Sequence, residues 1–158
     1  MKTLIIYTSK YGCTADCASN IKSKLQGDVT LLDINKTVPG GELSTYDTVI
    51  IGGSVYIGKI AKKLRLFCQN NVDALTAKKI GIFLCCALEN EADAVLAANF
   101  PSALLEKSVS TKVLGSEARL DKMGFLDKTM IKAVSKGDFN GFRIFSERVD
   151  EFVHEIMA

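Results

Sequence analysis

Apolar residues recur along this chain in two rhythms. Short unbroken runs stand at Thr3-Leu4-Ile5-Ile6-Tyr7, Val29-Thr30-Leu31-Leu32-Asp33, Thr48-Val49-Ile50-Ile51-Gly52-Gly53, Lys79-Ile80-Gly81-Ile82-Phe83-Leu84-Cys85 and Thr111-Lys112-Val113-Leu114-Gly115. Such runs, rich in β-formers, read as strands buried on both faces. Between them the spacing changes to three and four. Thr14, Ala18, Ile21 and Leu25 mark one face of a helix ending near Gly27. A second helix is expected over 59–70 with Ile60, Leu64 and Phe67 inward. A third spans 90–99 and is interrupted before Pro101, where Ala103-Leu104-Leu105 adds a turn. Phe145, Val149, Phe152, Val153 and Ile156 form the stripe of a final helix. Strands alternating with helices mean a parallel sheet covered on both faces. Five such units predict a three-layer α/β/α sandwich with a five-stranded parallel sheet in the order 2-1-3-4-5. Ligands then bind beyond the carboxyl ends of the first, third and fourth strands, so the loops at 8–14, 53–59 and 85–91 are the ones to inspect.

One stretch exceeds this plan. The connection from the fifth strand to the last helix is far longer than such a link needs. Within it, Leu126, Met130, Ala133 and Val134 make an apolar helical face, with Lys128, Lys132 and Lys136 beside it. We expect one domain over 1–158, carrying an inserted basic helical segment at about 117–140. The net charge of +2 does not suggest a nucleic-acid binder. Located, the charge is uneven. Residues 119–143 carry +3 and the remainder −1. Lys59, Lys62, Lys63 and Arg65 form a second basic patch. These bases are either a solvated face or a surface that steers an acidic partner or touches an anionic membrane. With 47% apolar residues and two prolines, global disorder is excluded. No window approaches ~18 consecutive apolar residues, and Met1 to Ile6 is too short for a secretion signal. The protein is therefore expected in the cytoplasm, with its five cysteines as free thiols.

The first loop carries the clearest chemistry. Thr8-Ser9-Lys10-Tyr11-Gly12-Cys13-Thr14 joins a strand to a helix and is rich in hydroxyls and small residues. Backbone N–H groups at a helix start, with hydroxyls beside them, suit a phosphate; the same hydroxyls also cap helices. A Walker loop needs Gly-Lys-Ser/Thr, but Cys13-Thr14 follows Gly12. No G-x-G-x-x-G follows a strand. The acidic residues of a receiver domain are absent, and a tyrosine phosphatase would need Arg where Ser19 stands. Cys13 and Cys17 lie four apart on a helix, but no second ligand pair accompanies them, so no metal site is expected. Cys13 at the helix start is a place for a lowered thiol pKa. The single histidine, His154, belongs on a solvated helical face, and no catalytic constellation is expected.

The segment from Leu4 to Ala18 resembles the phosphate loop of flavodoxins, a hydroxyl-rich turn before Gly-x-Thr. The resemblance continues through Tyr46-Asp47-Thr48-Val49-Ile50-Ile51-Gly52-Gly53-Ser54-Val55-Tyr56-Ile57-Gly58-Lys59. It implies a flavodoxin-like fold and FMN as cofactor. Ser9, Gly12, Cys13 and Thr14 would hold the phosphate, within a cofactor-binding loop that also includes Thr8, Lys10 and Tyr11; Lys10 and Tyr11 stand where small hydroxyl residues are common, and Cys13 where a polar residue is. Gly53, Ser54, Val55, Tyr56, Ile57 and Gly58 would flank the ring. Tyr56 either stacks on it or packs as a rim tyrosine. Cys86, Ala87, Leu88 and Glu89 would border the other side, where typical flavodoxins commonly place a tyrosine and this chain has none. Glu89, Glu91 and Asp93 are read first as charges at a helix start.

The segment from Gly115 to Lys136, especially Leu126-Asp127-Lys128-Thr129-Met130-Ile131-Lys132, looks like the insertion of one branch, the menaquinone-dependent protoporphyrinogen dehydrogenases. The expected function is FMN-based electron transfer to a redox partner protein, or exchange with a small-molecule reductant or quinone. The alternative is a quinone-dependent protoporphyrinogen dehydrogenase-type flavoenzyme.

Overall fold

The computed structural model describes residues 1–37, 43–116 and 143–158. The chain runs β1 (Lys2–Thr8), α1 (Cys13–Lys24), β2 (Asp28–Asp33), a 3-10 turn (Leu43–Thr45), β3 (Thr48–Ser54), α2 (Lys62–Asn70) and α3 (Val72–Thr76). It continues with β4 (Lys79–Cys85), a second 3-10 turn (Glu89–Glu91), α4 (Ala92–Asn99), α5 (Ser102–Lys107), β5 (Ser108–Ser116), β6 (Arg143–Ile144) and α6 (Ser146–Met157). The sheet order is β2-β1-β3-β4-β5-β6. The first five strands are parallel, as the alternation of elements predicts. The sixth is an addition to that expectation: two residues returning antiparallel on β5, Gly115 opposite Ile144. Two residues are too few to leave an apolar run for the sequence to show. The inserted helix expected over 117–140 lies outside the described residues.

Alternation along each strand divides the interior into two layers. Leu4 and Ile6 of β1, Val49 and Ile51 of β3, and Ile80, Ile82 and Leu84 of β4 face one side. There they meet Leu64 of α2, Leu75 of α3, Val95 of α4 and Leu104 of α5. Ile5, Ile50, Phe83 and Cys85 face the other side, against Cys17 and Ile21 of α1 and Val149, Phe152 and Ile156 of α6. The rings of Phe83 and Phe152 meet edge to face at 6.1 Å and 75°. Burying such a side chain stabilises the fold by about 2–3 kcal/mol. The Phe83 ring fills the space beside Gly52, where any Cβ would overlap it.

Several elements differ from the sequence expectation: β5 begins at Ser108 rather than Thr111, and the short α3 at Val72–Thr76 is an addition to it. The second helix starts at Lys62 rather than near 59, because Tyr56 to Lys59 closes a tight turn and Ile60 is drawn into the core. Phe145 caps α6 from outside instead of joining its buried stripe. Among the described residues no helix is long and apolar enough to cross a membrane.

Candidate functional site

The carboxyl ends of β1 and β3 carry two loops that face each other. In the first, Ser9 Oγ accepts hydrogen bonds from the backbone N–H of Gly12 at 3.1 Å and of Ala15 at 3.4 Å. The loop therefore wraps around a hydroxyl at the start of α1. Gly12 makes the turn with φ of 111°, a left-handed conformation that glycine adopts without a Cβ clash. Its carbonyl accepts the first helical bond, from Asp16 N–H at 2.9 Å. The hydroxyls of Thr8 and Thr14 are buried and have no hydrogen-bond partner among the described residues. Two orphaned hydroxyls beside a helix start are an unsatisfied donor set that an oxyanion would complete.

The second loop is a tight hairpin. Tyr56 N–H donates to Lys59 O at 2.9 Å, and Lys59 N–H donates to Tyr56 O at 3.1 Å. Its central residues, Ile57 and Gly58, both have positive φ, 47° and 68°. Glycine takes this conformation readily, whereas for a β-branched residue it is strained. Asn99, at the end of α4, fastens the hairpin to the fold. Its side-chain amide donates to Gly58 O at 2.9 Å and to Val95 O at 2.8 Å, and its Oδ1 accepts from Ile60 N–H at 3.2 Å. The residue is buried with its polar atoms satisfied.

Between the two loops lies a cleft of about 720 Å³. Thr8, Ser9, Lys10, Ser54, Tyr56 and Ile57, all expected site residues, line it together with Asn35, Lys59, Ile60 and Ala61. The Lys10 ammonium stands 3.6 Å from the centroid of the Tyr56 ring and 5.3 Å from that of Tyr11. Among the described residues the lining holds two lysines and no carboxylate, a polarity that suits a phosphorylated ligand. Asn35 reaches the cleft because β2 is next to β1 in the sheet. The predicted strand order implies that adjacency, but no loop motif marks the residue. Asn99 gives no signal in the sequence beyond ending a helix.

The remaining expected residues lie around the cleft rather than along it. Tyr11 and Gly12 are half-buried in the first loop, and Cys13 and Thr14 are wholly buried in the first turn of α1. Cys13 is thus enclosed instead of being presented to solvent as a reactive thiol. A Cβ on Gly53 would come within 2.9 Å of Ile60 Cγ2, so its missing side chain makes room for the core. Val55 packs on the same core layer as Ile60. Gly58 sits at the hairpin tip, where a Cβ would meet no atom within 4 Å.

The loop after β4 turns elsewhere. Cys86 is buried, with its thiol donating to Leu88 O at 3.2 Å; Ala87 is exposed and Leu88 half-buried. Glu89 accepts from Arg148 at 2.7 Å. That pair borders a separate cleft of about 450 Å³ with Arg143 and Phe145, and the Phe145 ring lies 4.3 Å below the Arg148 guanidinium. Burial raises the Cys86 thiol pKa, and burial pushes that of Cys68 up to about 12, so neither is a thiolate at neutral pH. His154 is exposed on α6, as expected.

Comparison with known proteins places this geometry. A family profile described as the flavodoxin domain matches residues 4–140. The fold is similar to oxidised flavodoxin 2 from Bacillus cereus, with a TM-score of 0.64 and 21% identity over 99% of this chain and 98% of that one. It is also similar to oxidised flavodoxin 1 from Bacillus cereus, with a TM-score of 0.59 and 17% identity over 99% and 97% of the two chains. A flavoprotein from Lactobacillus acidophilus, solved in complex with FMN, aligns with a TM-score of 0.55 and 18% identity over 71% of this chain and 92% of that chain. No curated protein matches by sequence.

Proposed function

This chain belongs to the flavodoxin domain family, and on that premise we propose that it binds FMN non-covalently in the cleft between the β1 and β3 loops and transfers electrons through it. The observation that carries the reading is the cleft itself. It lies beyond the carboxyl ends of β1 and β3, where the strand order reverses, and the orphaned hydroxyl of Thr8 lines it, with that of Thr14 buried in the first turn of α1 nearby. The residues present fit the group. The start of α1, the Ser9 and Thr14 hydroxyls and the Lys10 charge would take the phosphate. Tyr56 would offer a ring face, and the hairpin at 56–59 would flank the ring edge.

When bound, FMN supplies one- and two-electron chemistry. The chain contributes binding, orientation and field. Among the described residues no histidine or carboxylate lines the cleft, so proton exchange is left to solvent or to a reaction partner. Lys10 and Lys59 place positive charge at its wall, which favours the more electron-rich form of any bound redox group.

The test is direct. Purified protein should be yellow and release FMN, rather than FAD or riboflavin, on denaturation. The stripped protein should quench the fluorescence of added FMN at one equivalent. A colourless protein that fails to quench would end this reading.

A second reading, a quinone-dependent dehydrogenase acting on a porphyrinogen-type substrate, is favoured by the loop at 86–89. It bears no aromatic ring, and Glu89 is drawn toward Arg148, which leaves one side of the proposed ring site open to a second substrate. Anaerobic reduction of the bound flavin by a porphyrinogen, with reoxidation by menaquinone, would support it. Reduction only by a protein donor would support a shuttle, with the basic residues at 59–65 as the docking face for an acidic partner. The basic segment at 119–143, apart from Arg143, lies outside the described residues.

A further inference from the structure

We propose that Cys13, Cys17 and Cys85 form a three-sulfur site for a soft monovalent metal ion, of which Cu(I) is the type. The three come from two elements. Cys13 and Cys17 lie one helical turn apart on the inner face of α1, and Cys85 ends β4 beneath them. Their sulfur atoms all lie within 4.8 Å of one another, with the Cys85 thiol 3.6 Å from Cys17 Sγ. All three side chains are buried. None of their side chains lines the proposed flavin cleft, although Cys13 opens the helix whose start is proposed to take the phosphate.

The spacing selects the ligand. An ion held about 2.3 Å from each of three thiolates in a plane separates the sulfurs by about 4.0 Å, inside the range these sulfurs already occupy. The site therefore needs rotamer adjustment and no movement of strand or helix. Zinc prefers a fourth ligand, and among the described residues the cluster supplies only three. Iron–sulfur clusters call for four cysteines. Hard cations need oxygen ligands. Three sulfurs within a largely apolar layer, where the Cys17 thiol also faces Leu114 O at 3.7 Å, suit a soft, thiophilic ion that accepts three-coordination.

Gly115 supports the arrangement from β5. A Cβ there would stand 2.6 Å from Cys13 Sγ and 3.3 Å from Cys17 Sγ, so the absent side chain lets both sulfurs pack close against the strand. The start of α1 at Cys13 adds a favourable partial positive charge for thiolates. Without a metal, the Cys17 and Cys85 thiols hold their protons. Hydrogen bonding with Cys13, together with burial, raises both Cys17 and Cys85 well above the ordinary thiol range. Metal binding releases these protons to solvent.

The experiment is a competition titration. Reduced protein, carrying whatever flavin it purifies with, is titrated anaerobically with Cu(I) against a bathocuproine-type chelator. One equivalent should be withdrawn from the chelator, with a thiolate-to-copper absorption band and an X-ray absorption signature of three sulfurs. Cys13→Ala, Cys17→Ala and Cys85→Ala should each weaken retention at least tenfold, while Cys68→Ala and Cys86→Ala should not. Folding of each variant is checked by circular dichroism. If any alanine variant unfolds, wild-type protein loaded with copper is unfolded in denaturant and alkylated, and mass spectrometry identifies the protected cysteines. Protection of Cys13, Cys17 and Cys85 upholds the site. No withdrawal from the chelator, or equal protection of all five cysteines, overturns it.

Discussion

The loops that follow β3 and β4 begin one strand apart, yet they are built on opposite principles. The hairpin at 56–59 is over-determined. Two backbone hydrogen bonds close it, Asn99 anchors it from α4, and it holds Ile57 in a conformation that such a residue resists. The segment at 86–89 has one buried thiol, one exposed alanine and an ion pair to another helix. A strained, pinned loop marks a surface that must hold one shape. The 86–89 loop is held at its root by the Cys86 N–H to Gly115 O bond, and beyond that by an exposed ion pair. If FMN occupies the cleft as proposed, its surroundings would be asymmetric: a rigid, aromatic hairpin on one side and a small, open loop on the other.

Removing the anchor should break this contrast most severely. Asn99→Ala would leave the Ile60 N–H buried without a partner and the half-buried Gly58 O without its bond, at a cost of about 2 kcal/mol in urea unfolding. FMN affinity should fall with it, because the rigid wall would then resemble the open one. Unchanged stability and affinity would show that the hairpin holds itself. Next in size is the ring. Tyr56→Ala should weaken FMN binding about tenfold, whereas Leu88→Ala should change it less than about twofold. Equal losses measured by fluorescence titration would contradict the asymmetry. Smaller still is relief of strain: Ile57→Asn should raise stability by about 0.5–1 kcal/mol, because asparagine tolerates the left-handed region and Ile57 is 52% exposed, with little burial to lose.

The same contrast explains what the sequence made legible. Buried parallel strands leave unbroken apolar runs, so β1, β3 and β4 were readable almost to the residue, and the strand order followed from their alternation with helices. The turn of the first loop was readable because hydroxyls and a glycine in succession before a helix mark a tight start, and Ser9 and Gly12 make that turn. Asn99 was not, because its partners are backbone atoms about forty positions away and any amide at a helix end looks the same. Cys85 could not be joined to Cys13 and Cys17 for a related reason: only the β3–β4 pairing and the seat of α1 on the sheet bring it there. Gly52 and Gly53 carry a requirement that no sequence pattern shows: the space beside them is taken by Phe83 and Ile60, so a Cβ at either would overlap the core.

The smallest expected effect concerns the open wall. Arg148 and Glu89 form their ion pair with side chains 41% and 43% exposed, so solvent screens most of its energy. Glu89→Gln should therefore change stability by no more than about 0.5 kcal/mol, and the difference should fade in high salt. Function is the sharper readout. If the pair merely fastens a surface loop, the variant should bind FMN as wild type does and exchange electrons at the same rate. If it instead holds the open wall away from the cleft, freeing it should slow reaction with a bulky acceptor such as a quinone while leaving a small one unaffected. The ratio of the two rates, followed by stopped-flow oxidation of the reduced protein, separates a loop that is open by default from one that is held open.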